Sequence, residues 1–167
     1  GSIALTGGRI DDLSLVDYRV STDKESANIV LLSPKGAPSP YYAEFGWTAT
    51  GGSGMKLPTA DPRWRADRET LSPGKPLTLS WDNGEGLRFL RTYALDDNYM
   101  VTVTQKVENS GTTAVSLYPY ALVSRHSTPE TTGFYILHEG PLGVFNEVLE
   151  ELDYDDLVEE GPVTQKS

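Results

Sequence analysis

His126 and His138 are the only histidines, and Glu130 and Glu139 stand close enough in sequence to join them as metal ligands or as an acid–base set. The twelve-residue separation of the histidines fits no zinc spacing, and the chain has no cysteine, which removes thiolate metal sites and disulfides together. Structural hydrogen bonding is the expected role of both histidines. Gly51-Gly52-Ser53-Gly54 has the flexibility to wrap an anion, but Met55-Lys56-Leu57-Pro58 supplies neither the Lys-Ser/Thr closure of a phosphate loop nor a helix behind it. Ser53 is no nucleophile elbow either, because Met55 stands where a glycine is required. The eight carboxylates of Glu147 to Glu160 lack the alternating Asp pattern and closing Glu of a calcium loop. No catalytic, metal-binding or cofactor-binding residue is expected.

The elements that would position any site are strands. Apolar residues recur with a period of two, and Gly, Pro, Asn and Asp punctuate the 167 residues every 8 to 12 positions. The pattern predicts strands at Ile10–Arg19, Ile29–Leu32, Tyr41–Thr48, Leu77–Trp81, Leu87–Leu95, Tyr99–Glu108, Val115–Ser124 and Phe134–His138. In the sixth, Tyr99, Val101, Val103, Gln105 and Val107 point one way and Thr102, Thr104 and Lys106 the other, as in a half-buried antiparallel strand. Asp82-Asn83-Gly84 and Asn109-Ser110-Gly111 read as hairpin connections. Gly51 to Leu71, rich in Gly and Pro, reads as a long irregular excursion of the kind that covers or binds something. One domain is expected, large enough to bury roughly 70 % of its unfolded surface. No apolar stretch reaches the roughly 20 residues of a membrane span, and no basic-then-apolar leader opens the chain, so a soluble fragment is expected with any export signal or anchor outside it.

Charge is unevenly spread. The total is −10, yet residues 126–167 carry 10 acids and one base while residues 1–125 carry 14 acids and 13 bases. Such a chain has no basic face for nucleic acid. Apolar Val148, Leu149, Leu152, Tyr154, Leu157 and Val158 interleave with the acids, so Glu150, Glu151, Asp155 and Asp156 are candidate contacts for a basic partner. Phe145, Val148, Leu149 and Leu152 fit a short amphipathic helix, and Leu152, Tyr154 and Leu157 fit an edge strand less cleanly. Most aromatic residues suit a core. Trp64, flanked by Arg63, Arg65 and Arg68, is the expected exposed aromatic, placed to rim a ligand groove.

Several runs together carry a resemblance. Thr78-Leu-Ser-Trp-Asp-Asn-Gly-Glu-Gly-Leu-Arg-Phe89, Arg91-Thr-Tyr-Ala-Leu-Asp-Asp-Asn-Tyr-Met-Val-Thr-Val-Thr-Gln105 and Val107-Glu-Asn-Ser-Gly111 are joined by Leu31-Leu-Ser-Pro34, Ala43-Glu-Phe-Gly-Trp47, Leu117-Tyr-Pro-Tyr120 and Val123-Ser-Arg-His126. In this order and spacing the chain resembles, over essentially its whole length, the large periplasmic domain of the YidC-type bacterial membrane protein insertases. The resemblance implies an all-β fold with little helix, a twisted antiparallel β-supersandwich of galactose-mutarotase-like architecture. It implies a single domain over 1–167, cut short at its C-terminus relative to the family, on the periplasmic side of the inner membrane. Implied partners are the Sec translocon with its accessory proteins, and nascent membrane proteins through the full-length insertase. The family's insertion groove lies among membrane helices, so no residue of this chain inherits a catalytic role, and no enzyme is expected.

The supersandwich is shared by aldose 1-epimerases, so a carbohydrate-binding or epimerase-like protein is the alternative. By spacing, Tyr120 stands where those enzymes place the acid–base histidine. A tyrosine, ordinarily titrating near pH 10, is a poor proton donor or acceptor at neutrality, and His126 lies six residues further on. Tyr120 remains a candidate ligand contact.

Overall fold

The computed structural model describes residues 1–50, 54–129 and 138–160. The chain forms two compact units, Gly1–His126 and Ser127–Ser167. In the first, β1 (Ser2–Ile3), β2 (Ile10–Arg19), β3 (Asn28–Leu32) and β4 (Tyr41–Ala49) belong to one sheet. The second sheet is β5 (Arg65–Ala66), β6 (Leu77–Asp82), β7 (Leu87–Leu95) and β8 (Val101–Asn109), in that order. The chain then returns to the first sheet as β9 (Leu117–Arg125), which pairs with β4 over nine residues. The first sheet is thus ordered β1-β2-β4-β9, with β3 on β2, and every pairing is antiparallel. The fold is all-β with little helix, as expected.

Period-two burial packs the sheets face to face. Leu77 and Leu79 of β6 point inward, as do Leu87, Phe89, Arg91 and Tyr93 of β7. Trp47 of β4 meets Phe89 edge-on at 5.1 Å between centroids, and Phe45 meets Tyr93 at 6.2 Å. Burying side chains of this size stabilises by roughly 1.5–3 kcal/mol each. In β8, Val101, Val103, Gln105 and Val107 are half-buried and Thr102, Thr104 and Lys106 exposed, which is the predicted alternation. Tyr99 falls outside the strand. It takes φ 66 in the connection after β7, and its hydroxyl bonds Asp17 at 2.6 Å.

The two predicted hairpin connections part ways. Asn83 closes β6 to β7: it is buried, and its Oδ1 accepts from the N–H groups of Glu85 and Leu87 at 2.8 and 3.0 Å. Asn109-Ser110-Gly111 instead ends β8 before the chain crosses to the other sheet. There Asn109 Oδ1 accepts from Gly111 N–H at 2.9 Å, and Ser110 N–H donates to the Gly86 carbonyl at 2.9 Å. Local turn chemistry was satisfied both times; the partner of β9 is chosen by the core, not by the turn.

In the second unit, β10 (Leu142–Phe145) and β11 (Val148–Glu151) form a hairpin, followed by α1 (Tyr154–Glu160). This corrects both expectations for the acidic segment. Residues 145–151 are not helical because Asn146 and Glu147 take φ 51 and 66, the left-handed pair that turns a two-residue hairpin. Residues 154–160 are helical rather than an edge strand, with Asp155 and Asp156 in the first turn, where the helix dipole favours negative charge. The predicted strand Phe134–His138 lies outside the described residues except for His138, which is in no strand.

One inward position carries a charge. Arg91 is 0 % exposed, and no carboxylate pairs with it among the described residues. Its Nη1 donates to the carbonyls of Gly8 at 2.8 Å and Gly7 at 3.3 Å, and its Nη2 donates to the Phe45 carbonyl. Its guanidinium stacks on Trp64 at 4.6 Å, Trp47 at 5.6 Å and Phe45 at 5.8 Å from the ring centroids. Tyr93 donates to the same Gly8 carbonyl at 2.7 Å. Gly8 itself has φ +65, and a Cβ there would sit 2.6 Å from Arg91 Nη1, so only glycine fits.

Arg91→Ala removes these partners and opens a cavity. We expect a loss on the order of 4 kcal/mol, read as a lowered urea midpoint, with Arg91→Lys restoring less than half because an ammonium lacks the planar fork. Burial raises the Tyr93 phenol above its ordinary value of 10.0, against a smaller opposing pull from Arg91. Its contribution to stability is therefore full below about pH 10 and is lost as pH climbs through the raised folded value. Tyr93→Phe should flatten the alkaline limb of a stability–pH curve; an unchanged limb would assign that limb to other groups.

Candidate functional site

The first unit has an open cavity of about 1150 Å³ on the inner side of the second sheet. Its floor is Ile10, Leu77 and Leu79, all core residues, and its walls include Ile3, Leu5, Leu13, Leu71, Leu95 and Val101. The segment Arg63–Leu71 forms one flank. This segment is the end of the predicted irregular excursion, and its only regular piece is the two-residue β5. It is held by two backbone bonds to the N-terminal strand region, Gly7 N–H to Pro62 O at 3.0 Å and Trp64 N–H to Leu5 O at 2.8 Å.

Trp64 is not the exposed aromatic that its flanking arginines suggested. It is 2 % exposed, stacked on Trp47 at 6.3 Å and 22°. The extended backbone alternates, so Arg63 and Arg65 are exposed while the indole turns inward against Arg91. Trp64 contributes to the cavity wall as a core residue and does not rim it from solvent.

Tyr120 lies in β9 opposite Gly46, at 38 % exposure. Its ring covers that glycine so closely that a Cβ on Gly46 would meet it at 2.6 Å. Its hydroxyl is 3.4 Å from Glu44 Oε1, and partial burial first, then the Glu44 charge, push the phenol up. Tyr120 is thus further from neutral-pH proton transfer than an ordinary tyrosine. The His126 ring lies beside Tyr42 at 5.9 Å, and its backbone N–H donates to the Pro40 carbonyl at 3.0 Å. His138 Nδ1 is 3.2 Å from Asp153 Oδ1. Among the described residues no group of three His, Cys, Asp or Glu could hold a metal ion.

The four candidate carboxylates belong to the second unit. Glu150 and Glu151 sit in β11 opposite Gly143 and Leu142, and Asp155 and Asp156 in the first turn of α1. Glu151, Asp155 and Asp156 are exposed and Glu150 is half-buried. Beside them the hairpin leaves Leu142, Val144, Phe145, Val148 and Leu149 between 52 and 69 % exposed. A two-stranded hairpin with apolar side chains on both faces cannot cover them itself. Tyr120 lies in β9 of the first sheet and Trp64 in the irregular segment just before β5, and no contact between the two is among those described. Arg91 escaped notice in the sequence, although its place in the inward series Leu87, Phe89, Arg91, Tyr93 was the available signal.

Comparison with known proteins gives one answer. The sequence model described as the YidC periplasmic domain matches residues 1–167. A protein of Methylobacterium radiotolerans named membrane protein insertase YidC is 54 % identical over 162 residues, 96 % of this chain and 26 % of that protein. Proteins of the same name from Beijerinckia indica and Bradyrhizobium diazoefficiens are 52 % and 49 % identical, over 99 % and 100 % of this chain and 28 % and 27 % of theirs. The chain therefore spans about a quarter of the length of the curated relatives it matches. No solved structure matches it.

Because Trp64 is core, Trp64→Ala should cost on the order of 3–5 kcal/mol, whereas an indole at a solvent-facing rim would cost under about 1. Chemical denaturation followed by far-UV circular dichroism distinguishes the two.

Proposed function

The chain belongs to the YidC periplasmic domain family, and from that premise we propose that it acts without chemistry of its own, as a periplasmic docking or substrate-holding module of a membrane protein insertase. The proposed partners are the Sec translocon with its accessory proteins, and nascent membrane proteins through the whole insertase. The whole of 1–167 is proposed as one periplasmic domain. The family match over those residues and the relatives' names support the insertase assignment. Among the described residues no helix is long and apolar enough to cross a membrane.

The observation that carries the docking role is the second unit's exposed apolar hairpin set among carboxylates. Residues 139–160 hold nine acids and neither lysine nor arginine, while Leu142, Val144, Phe145, Val148 and Leu149 stand exposed between them. Carboxylates steer a basic partner, and the apolar side chains supply contact area once it arrives. The carbohydrate alternative is not favoured: the relatives are named insertases, and Tyr120 is tied to Glu44 with a raised phenol.

Replacing Glu150→Gln, Glu151→Gln, Asp155→Asn and Asp156→Asn together should weaken association with the soluble periplasmic domain of a Sec-accessory protein about tenfold at low salt. Each exposed charge contributes about 0.2–1 kcal/mol, and the difference should shrink as salt rises. Titration of the isotopically labelled domain reads this directly. An affinity unaltered by the four changes, or shifts confined to residues around Tyr120 on adding monosaccharides, would replace the docking reading.

A further inference from the structure

The cavity is lined by residues of the first unit and has a chemistry of its own. Its floor of Ile10, Leu77 and Leu79 offers hydrocarbon and no side-chain hydrogen-bonding group. At about 1150 Å³ it is somewhat larger than the roughly 300–1,000 Å³ of ordinary small-molecule sites. Along that floor a sugar would find no polar side-chain atom to orient its hydroxyls. An extended peptide would bring one N–H and one C=O per residue onto a surface unable to satisfy them. A hydrocarbon chain carries no such burden.

Charge at the flank sets the head group. Residues 63–68 read Arg-Trp-Arg-Ala-Asp-Arg, three bases against one acid in a chain of net charge −10. Arg68 is engaged with Asp67 at 3.5 Å, and Asp67 also accepts the Thr78 N–H at 2.9 Å. Asp12 accepts the Ser2 hydroxyl at 3.1 Å. Arg63 and Arg65 line the cavity two residues apart, are exposed, and form no ion pair among the described residues; the lining as a whole carries three arginines and three carboxylates, Asp12, Asp67 and Glu69, so it is this local pair of guanidiniums that offers an anion site. The guanidinium fork fits a carboxylate with two parallel hydrogen bonds.

We propose that this cavity binds a single-chain fatty carboxylate, with its acyl chain along the Ile10, Leu77 and Leu79 floor and its head group at Arg63 and Arg65. The site needs nothing from the hairpin of the second unit, so it stands or falls independently of the docking role.

The test is an NMR titration of the labelled chain with dodecanoate, dodecanol and dodecyltrimethylammonium, each below its micelle concentration. Dodecanoate should give saturable shifts at cavity-lining residues and bind about fivefold tighter than dodecanol, with the cationic amphiphile weakest. Arg63→Gln with Arg65→Gln should erase the preference for dodecanoate over dodecanol while leaving dodecanol binding in place. Both positions are exposed, so unchanged spectral dispersion verifies the fold. Leu71→Gln, in the irregular flank, should weaken all three. The proposal is overturned by equal affinities in the parent chain, by a preference that survives the double substitution, or by shifts that map to the Leu142–Leu149 hairpin. Displacement of dodecanoate by an unfolded apolar peptide of higher affinity would identify a peptide groove instead.

Discussion

A cation with no carboxylate partner in the middle of an apolar core must be met from every side or the fold does not close. Arg91 is met by three backbone carbonyls and three aromatic faces. Each partner comes from a different part of the first unit: the glycine pair before β2, the middle of β4, and the Trp64 segment. The guanidinium thereby fixes the separation of the two sheets and the path of the excursion between β4 and β6. Hydrophobic burial alone would bring the sheets together but would tolerate sliding; directional donors on a planar group do not. Burying a charge is costly, and acceptors at both terminal nitrogens together with the aromatic faces are what make it tolerable, although the buried Nε has no hydrogen-bond partner.

That geometry explains how legible the chain was. Ile10–Arg19 and Leu87–Leu95 emerge from the alternation with the boundaries the structure has, because strand periodicity is a local property stamped by a one-sided core. Asp82-Asn83-Gly84 was equally readable, since Asn83 satisfies its own turn. The Asn109 turn has the same chemistry and joins different sheets, and nothing within four residues of it distinguishes the two outcomes. Trp64 misled for a related reason. Three neighbouring arginines suggest solvent, yet period-two alternation sends the residue between two exposed arginines inward, and the cation it meets lies 27 positions away in sequence. The acidic segment deceived through composition: apolar residues among acids fit helical spacing, but the left-handed pair at Asn146 and Glu147 made residues 142–151 a hairpin.

The two units divide the candidate roles along chemical lines. The first is closed around its aromatic cluster and leaves a hydrocarbon cavity; the second leaves its hydrocarbon outside among carboxylates. A buried apolar surface contributes to stability, and an exposed one contributes to association. The membership of this chain in the YidC periplasmic domain family gives both surfaces a compartment, the periplasm.

The bonds from Arg91 to Gly7 and Gly8 span 84 and 83 residues, and the one to Phe45 spans 46. Contacts of such range are formed late, after loop closure over most of the unit. Until Arg91 is in place, Gly7, Gly8 and the middle of β4 therefore lack the donors that fix them. This is an ordering principle for folding: the segments before β7 stay pliable, and rigidity is conferred at one stroke when the guanidinium docks.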